Sequence, residues 1–202
     1  MRGSERRRRG VEGQSGRNAQ RLHRLGKQGL GAAYIAGFGW GLDEGYGVLV
    51  EMDADGSHDP AQLPRLLDRL RTADLVIGSR YVNGGGTVNW GLGRKILSRG
   101  GSLYSRLILG APIRDFTGGF NGWRKPVLEA VDLGSLRSDG YSFQIELKYR
   151  AFKRGFRYTE FPIVFEDRKV GKSKMNRRIV FEALGRVWSF RFRPVLDRKS
   201  VS

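Results

Sequence analysis

The chain has 202 residues, enough for one domain with its own hydrophobic core and too few for two. It contains no cysteine, which excludes disulfides and thiolate chemistry, so any metal would need oxygen or histidine ligands. The formal net charge of +17 favours a polyanionic partner: nucleic acid, an anionic membrane surface or a phosphorylated substrate. No apolar run reaches the roughly 18 residues that a membrane-spanning helix needs, and the N-terminus lacks the apolar segment of a signal peptide, so we expect a cytoplasmic chain.

The composition divides the chain into three parts. Residues 1–20 are rich in Gly, Ser, Arg and Gln and carry almost no apolar side chains, which predicts a disordered basic head. Residues 21–193 have the apolar patterning of a single α/β domain with interleaved strands and helices. Residues 194–202 form a short tail.

The first half of this domain predicts a helix, a strand, a helix and a second strand. The first helix runs from Leu25 to Leu42, and the apolar run Tyr46 to Met52 predicts a strand that is buried on both faces. Asp59 and Pro60 then start an amphipathic helix, as an N-cap followed by a first-turn proline does. Leu75 to Gly78 is the second buried strand.

This order predicts a parallel crossover unit, in which ligands bind at the carboxyl ends of the strands. Asp53-Ala54-Asp55 and Gly78-Ser79-Arg80 both fall at such ends. The remaining predicted elements are a glycine-rich loop at 84–86, a helix at 94–109, a turn and strand at 115–123, helices at 126–131 and 143–153, a strand at 158–165, a basic loop and a last amphipathic helix from 175 to about 190.

Asp53 and Asp55 are the strongest candidates for metal ligands. Two carboxylates one residue apart at a strand end can lean toward one hard cation, and Mg²⁺ or Mn²⁺ held in this way bridges diphosphate oxygens. Ser57 would add a third oxygen, whereas His58 is read as a loop residue or a hydrogen-bond partner. An Asp-x-Asp pattern by itself is common in turns, so its position directly after the strand carries the argument.

Several further motifs appear together with the Asp pair, in one order along the chain. With them, the chain resembles the dolichol-phosphate or polyprenol-phosphate mannosyltransferases, which are inverting family 2 glycosyltransferases with a GT-A fold. The resemblance runs from about Leu22 to Phe190. It is carried by Glu51 to His58 (EMDADGSH) with Pro60, Gly78 to Tyr81 (GSRY), Arg114 to Phe120 (RDFTGGF), Gly140 to Glu146 (GYSFQIE) and Phe165 to Arg168 (FEDR) with Gly171, Ser173, Lys174 and Met175.

The resemblance implies a GT-A domain, a mostly parallel sheet with helices on both faces, that transfers mannose from GDP-mannose to a polyprenyl phosphate with inversion. It implies that Asp53 and Asp55 bind the metal and the donor diphosphate, and that Arg80 lines the donor pocket. Arg94, Arg168 and Lys174 would bind the phosphates of donor and acceptor, as guanidinium and ammonium groups do well. Asp55, Arg80 and Arg94 are the catalytic candidates.

Other residues of the matched motifs have less definite roles. Asp115 and Glu146 would orient the acceptor or the sugar, or would serve the structure, and for Gln144 we favour a structural role. Ser173 is a substrate-binding candidate by its motif. No catalytic histidine is expected, because a phosphomonoester acceptor is already largely dianionic at neutral pH and needs no dedicated base.

A lipid acceptor implies contact with a membrane. The predicted helix at 94–109 and the last helix both mix cationic and apolar residues, as helices that bind an anionic membrane surface do, although packing against the core is the alternative. Because transmembrane helices found after this region in some relatives are absent here, we expect a peripheral enzyme or a separate membrane-anchoring subunit.

The chain departs from the family at its start. The first strands of the family, which bind the nucleotide base and ribose, have no counterpart before Leu22, so we expect an N-terminally truncated domain that binds nucleotide-sugar poorly. The alternatives are a related transferase with another donor, such as UDP-glucose, and a basic nucleic-acid-binding protein. The second is not expected, because no nucleic-acid recognition motif is present.

Overall fold

A computed structural model describes residues 22, 26, 29–136, 138, 140–167 and 177–192, except for the side chains of 141 and 177–183. The first helix is α1 (Gly29–Asp43), followed by strand β1 (Val48–Glu51), a 3₁₀ turn (Pro60–Gln62) and helix α2 (Leu63–Arg69). Strands β2 (Leu75–Ser79) and β3 (Gly86–Val88), helix α3 (Leu92–Leu109) and strand β4 (Asn121–Arg124) come next. The chain continues through α4 (Lys125–Ala130), a 3₁₀ turn (Leu133–Ser135), α5 (Gly140–Lys153), β5 (Tyr158–Pro162), β6 (Val164–Glu166) and α6 (Arg177–Phe192).

The main sheet has four strands in the order β1-β4-β2-β5. β4 pairs antiparallel with both β1 and β2, while β2 pairs parallel with β5. Strands β1, β2 and β5 therefore run in one direction, as the predicted crossover requires, and β4 is inserted between the two strands of that unit. Sequence order alone did not predict this insertion, because β4 lies more than forty residues after β2 in the chain.

Helices cover both faces of this sheet. On β2, Leu75 and Ile77 belong to the larger core cluster, whereas Val76 belongs to the smaller one, because successive strand residues point to opposite faces. The larger cluster includes apolar residues of α1, α4 and α5, and the smaller includes Leu66 of α2 and Leu70 directly after it. The α/β fold with helices on both faces is thus confirmed.

Three predicted elements differ from the structure. The strand β1 is shorter than the predicted run and is not fully buried, since Val48 is exposed and Leu49 only half-buried. The predicted strand at 158–165 is divided at Ile163 into β5 and β6, which lie in different sheets. The predicted glycine-rich loop contains β3, which pairs in parallel with β6 in a separate two-stranded sheet.

Asp59 and Pro60, predicted to start the second helix, start the 3₁₀ turn that leads into it. Asp59 is the N-cap of this turn with an extended backbone, and its Oδ1 accepts a hydrogen bond of 2.9 Å from the Ala61 amide, whereas α2 itself begins at Leu63 with Gln62 at its N-cap. The chain thereby turns out of the Asp53-Ala54-Asp55 segment into a helix that packs on the sheet. The predicted disordered head and the tail lie outside the described residues.

Candidate active site

The Asp pair lies where the sequence predicted, just beyond the carboxyl end of β1. Asp53 is half-buried, and its Oδ1 accepts a hydrogen bond of 3.2 Å from the Tyr34 hydroxyl of α1. Its Oδ2 lies 3.7 Å from Nε2 of His58. Burial, followed by the negative charges of Glu51 and Asp53, raises the pKa of the Tyr34 hydroxyl, which therefore acts as a donor at neutral pH.

Asp55 is fixed by the turn in which it lies. Its Oδ1 accepts hydrogen bonds from the amide of Ser57, at 3.1 Å, and from the Ser57 hydroxyl. Gly56 between them adopts φ +79°, a left-handed conformation that favours glycine. Ser57, predicted as a metal ligand, is buried and directs its hydroxyl proton at Asp55, so in this geometry it orients that carboxylate.

The donor set fits a hard divalent cation that keeps part of its shell for substrate. Within the described part of the chain, no group of three or more His, Cys, Asp or Glu side chains is arranged to hold a metal ion. Two carboxylates are what Mg²⁺ uses when substrate phosphates and water supply its other ligands. Asp53 and Asp55 would hold the cation in this way.

Arg80, predicted to line the donor pocket, is buried in an ion pair at the carboxyl end of β2. Its Nε and Nη2 donate to the two oxygens of Asp115 at 2.8 and 2.7 Å, and Nη2 also donates to Thr117 at 2.8 Å. The side chains of Arg80 and Asp115 are 4% and 0% exposed. Burial alone would raise the pKa of Asp115, but the Arg80 guanidinium outweighs it and lowers that pKa to about 2.

Behind these residues lies a buried polar cluster that spans the sheet. Glu51 of β1 accepts hydrogen bonds from the side chains of Asn121 and Trp123 on β4 and from Gln144 on α5. Burial raises the pKa of Glu51 to about 7. Gln144, for which we favoured a structural role, is engaged within the protein by this contact.

Lys148 of α5 completes this cluster and supports the segment after α3. Its Nζ donates to the carbonyl oxygens of Asp115 at 2.9 Å and Gly118 at 2.8 Å. Burial lowers the pKa of Lys148 to about 8, against the charges of Asp115 and Glu51, which raise it. The position of the Asp115 loop, and with it that of Arg80, therefore depends on a helix 30 residues later.

Glu146, a substrate-binding candidate, is also engaged within the protein. It is fully buried and accepts hydrogen bonds from the Ser138 hydroxyl and, at 2.6 Å, from Nη2 of Arg150. These contacts join α5 to the segment before it.

Arg94 lies in the first turn of α3 and is the most accessible of the predicted arginines that the structure describes. Its Nη1 forms an ion pair with Asp167, and its guanidinium lies 4.0 Å from the ring centroid of Trp90, as in a cation–π contact. Asp167 directly precedes residues 168–176, so Arg94 is brought next to the start of the predicted basic loop. Arg168, Ser173 and Lys174 lie outside the described residues.

The model of glycosyl transferase family 2 matches residues 12–132, more than half of the chain. The chain belongs to glycosyltransferase family 2. The match begins at residue 12, inside the segment that the composition predicted as a head.

Two bacterial relatives within this family confirm the resemblance to polyprenol-phosphate mannosyltransferases. The undecaprenyl-phosphate mannosyltransferase of Micrococcus luteus is 56% identical over 163 residues, which cover 81% of this chain and 67% of the relative. The polyprenol monophosphomannose synthase of Mycolicibacterium smegmatis is 52% identical over 178 residues, which cover 88% of this chain and 67% of the relative.

A solved structure with a similar fold supports the architecture. Glucosyl-3-phosphoglycerate synthase from Mycobacterium tuberculosis, solved with uridine diphosphate, superposes with a TM-score of 0.54 at 18% identity. The superposition covers 83% of this chain and 57% of that one. It confirms the glycosyltransferase fold and says nothing about the substrates of this chain.

For this family 2 domain, sequence reasoning missed the residues that hold the site together. Tyr34, Glu51, Asn121 and Lys148 were not predicted as parts of it. Glu51 offered a signal, since a carboxylate inside an apolar strand needs partners when it is buried. Lys148 and Tyr34 offered none, because each lies on a helix distant in sequence from its partner.

Proposed function

We propose that this chain is the catalytic part of an enzyme that transfers mannose from GDP-mannose to a polyprenyl phosphate with inversion. The observation that carries the proposal is the Asp53 and Asp55 pair at the end of β1, in a chain more than 50% identical to two enzymes named for mannosyl transfer to such lipids. The two carboxylates could bind a cation that is complexed with the donor diphosphate, and the basic residues that follow in the chain could bind the phosphate of the acceptor.

The proposed chemistry is a single displacement. A phosphate oxygen of the lipid attacks C1 of the mannose, the bond from C1 to the diphosphate oxygen breaks, and GDP leaves with that electron pair. The acceptor is largely dianionic at neutral pH, so no side chain has to remove a proton. Bound Mg²⁺ or Mn²⁺ would neutralise charge on the leaving diphosphate.

The protein side chains then have separate tasks. Asp53 and Asp55 would hold the cation, and Arg94, at the start of α3, would bind phosphate. Arg80 and Asp115 pair with each other, and this pairing would fix the loop beside the Asp pair, since Gly118 also donates to Asp115 at 2.9 Å. A rigid cationic and metal-binding site of this kind stabilises charge as it develops on the leaving group.

The test is transfer of radiolabel from GDP-mannose to undecaprenyl phosphate in the presence of Mn²⁺. We expect Asp55→Ala to reduce transfer at least about a hundredfold, as loss of a charge-stabilising group does. The control is Asp68→Ala, which removes a carboxylate that is 76% exposed on α2. Undiminished transfer by Asp55→Ala would contradict the proposal. If UDP-glucose labels the lipid and GDP-mannose does not, the donor named in the proposal is wrong and UDP-glucose takes its place.

A lipid acceptor requires a surface that meets the membrane, and we propose that α3 provides it. Four of its large apolar side chains are solvent-exposed: Leu92 by 74%, Ile96 by 64%, Leu103 by 53% and Leu107 by 70%. Their spacing places them on one face of the helix, which we call the apolar stripe.

The charges and the opposite face of α3 support this assignment. Lys95, Arg99 and Arg106 are exposed and lie along one side of the apolar stripe, whereas the buried face carries Ser98, Ser102, Ser105 and Leu109. An apolar stripe with a row of cations beside it suits the interface of an anionic bilayer. On α6, Trp188 and Phe192 are exposed as well, 48% and 75%, and stack on each other.

No helix in the described part of the chain is long and apolar enough to cross a bilayer. In the proposed membrane contact, α3 lies at the surface, with the acceptor phosphate reaching Arg94 at the start of the same helix. A separate membrane-anchoring subunit is the alternative partner for the apolar stripe.

Sedimentation with protein-free vesicles containing phosphatidylglycerol distinguishes these partners. We expect Ile96→Glu together with Leu107→Glu to weaken vesicle binding at least tenfold, since burying one such side chain contributes about 1.5–3 kcal/mol. Leu67→Glu is the matched control, because Leu67 is a comparably exposed leucine, 48%, on α2. Absence of binding to protein-free vesicles would contradict the membrane role of the apolar stripe and favour the subunit.

A further inference from the structure

The carboxylate of Asp53 is contacted from two directions by side chains of other segments. The Tyr34 hydroxyl of α1 donates to Oδ1 at 3.2 Å. Nε2 of His58, from the turn after the Asp pair, lies 3.7 Å from Oδ2. Asp53 is thus the member of the pair that depends on tertiary structure, whereas Asp55 is fixed locally by Ser57.

Tyr34 is held rigidly enough to direct its hydroxyl. Its ring stacks on Phe143 of α5 with a centroid distance of 5.7 Å and an interplanar angle of 7°. It also stacks on Phe38, one turn later on α1, at 6.2 Å. Gly119 lies against the same contact: a Cβ at that position would be 3.8 Å from the Asp53 oxygens and 3.9 Å from the Tyr34 hydroxyl.

His58 bounds the other side of the carboxylate. Its ring lies between Phe120, stacked at 5.3 Å, and Phe165, edge-on at 4.9 Å. Its side chain is 2% exposed, and its Nε2 has no hydrogen-bond partner among the described residues. His58 therefore occupies the space beside Oδ2 of Asp53 without a hydrogen bond to it, and the Tyr34 hydroxyl on the other side is the hydrogen-bond donor to this carboxylate.

We propose that Tyr34 is a positioning residue that fixes the plane of the Asp53 carboxylate and thereby sets the cation affinity of the site. The inference rests on the proposed function, which makes Asp53 a cation ligand. Partners of this kind, which hold a metal ligand without touching the metal, typically change metal affinity 10- to 100-fold when removed. The aromatic stacks connect this position to α1 and α5, so the two helices together determine the ligand geometry.

The test is the affinity of the chain for Mn²⁺, measured from the electron paramagnetic resonance signal of the free ion. Tyr34→Phe removes one hydroxyl and keeps both ring stacks, so the variant should fold. Tyr149→Phe is the matched control, since Tyr149 is buried and its hydroxyl has no partner among the described residues. Asp53→Asn is the reference for loss of the ligand itself.

We expect Tyr34→Phe to weaken Mn²⁺ binding about tenfold and Tyr149→Phe to leave it unchanged. In the transfer assay, Tyr34→Phe should raise the KM for Mn²⁺ and keep kcat at saturating metal and the KM for the lipid. If Tyr34→Phe binds Mn²⁺ like the wild type while Asp53→Asn loses binding, the inference about Tyr34 is overturned and the proposed function still stands. If Asp53→Asn also binds like the wild type, the metal role in the proposed function falls and the inference falls with it.

Discussion

The ion pair of Arg80 and Asp115 shows how two buried side chains can fix a loop beside the candidate site. Both side chains are almost fully buried, and Asp115 also accepts from the backbone amides of Arg80, at 3.0 Å, and Gly118. Glu160 of β5 binds the amides of Arg114 and Asp115 at 2.8 and 2.9 Å. The loop between α3 and β4 is therefore held by two carboxylates, that of Asp115 within the loop and that of Glu160 on β5.

Removing the charge of Asp115 should destabilise the whole domain. Asp115→Asn leaves the Arg80 guanidinium buried without a counter-ion, a change that typically costs about 3–5 kcal/mol. Asp68→Asn, which removes an exposed partner of Arg71, should cost less than about 1 kcal/mol. Urea unfolding of both variants measures the difference, and equal midpoints would contradict the role of the buried pair.

The same pair predicts how stability depends on pH. Because the pKa of Asp115 is lowered from 3.8 to about 2 in the folded protein, its ionised form stabilises the fold above pH 3.8. This contribution is lost as the pH falls from 3.8 toward 2. The free energy of unfolding of the wild type should therefore fall more steeply across that window than that of Asp115→Asn, and parallel profiles would exclude Asp115 as the cause.

At this scale the sequence predicted where the candidate residues lie better than it predicted their partners. Asp53, Asp55, Arg80 and Asp115 all came from motifs, and all four lie at the carboxyl end of the sheet or beside it. What the motifs could not predict is that Arg80 binds Asp115, since that pairing depends on the return of the chain after α3. The same is true of Tyr34, whose contact with Asp53 requires α1 to pack against α5.

At the scale of elements, α3 is the helix whose burial differs most from what its hydrophobic pattern predicts. Its position and length agree with the predicted helix to within two residues at the start. Its buried face, however, carries serines, because Ser98 and Ser102 lie within 3.4 and 3.3 Å of the Thr117 hydroxyl, and the Tyr81 hydroxyl donates to Ser98 at 2.7 Å. A polar interior behind the helix makes its apolar residues the exposed ones, and no periodicity in α3 could show what lies behind it.

Two glycines in different surroundings should respond oppositely to substitution by alanine: one lies where α2 packs closely on the sheet and the other on the open side of α3. A Cβ at Gly122 of β4 would lie 2.9 Å from Leu70 Cδ1 and closer still to Leu66 Cδ2, so Gly122→Ala should destabilise by about 1–3 kcal/mol. A Cβ at Gly100 of α3 would meet nothing within 4 Å, so Gly100→Ala should stabilise the helix by about 0.5–1 kcal/mol.

Thermal unfolding of the two variants measures this contrast. The substitution is the same at both positions, so the difference reports the space around each glycine and the helical propensity of the second. A Gly122→Ala variant as stable as the wild type would mean that α2 can move away from β4 without cost, against the packing described.

At the scale of the whole molecule, α3 carries two different surfaces side by side: the surroundings of Arg94 and the apolar stripe. Arg94 at its first turn lies beside Asp167, which follows β6, while the apolar stripe continues along the exposed face for the rest of the helix. A lipid phosphate bound near Arg94 would therefore have its chain directed toward the side of the molecule that α3 covers. The overall charge of +17 would act on the proposed membrane encounter at longer range.

The net charge and the apolar stripe should contribute separably to membrane binding. Exposed charges are screened by salt, with a Debye length of about 10 Å at 0.1 M and about 3 Å at 1 M, whereas apolar burial is not weakened in this way. Affinity for phosphatidylglycerol vesicles should therefore fall as NaCl is raised from 0.1 to 1 M and then reach a residual level. In the Ile96→Glu, Leu107→Glu variant that residual level should disappear. A wild-type affinity that does not change with salt would show that the charge has no part in binding, and stronger salt-sensitive binding to a DNA duplex than to vesicles would favour nucleic acid as the polyanionic partner.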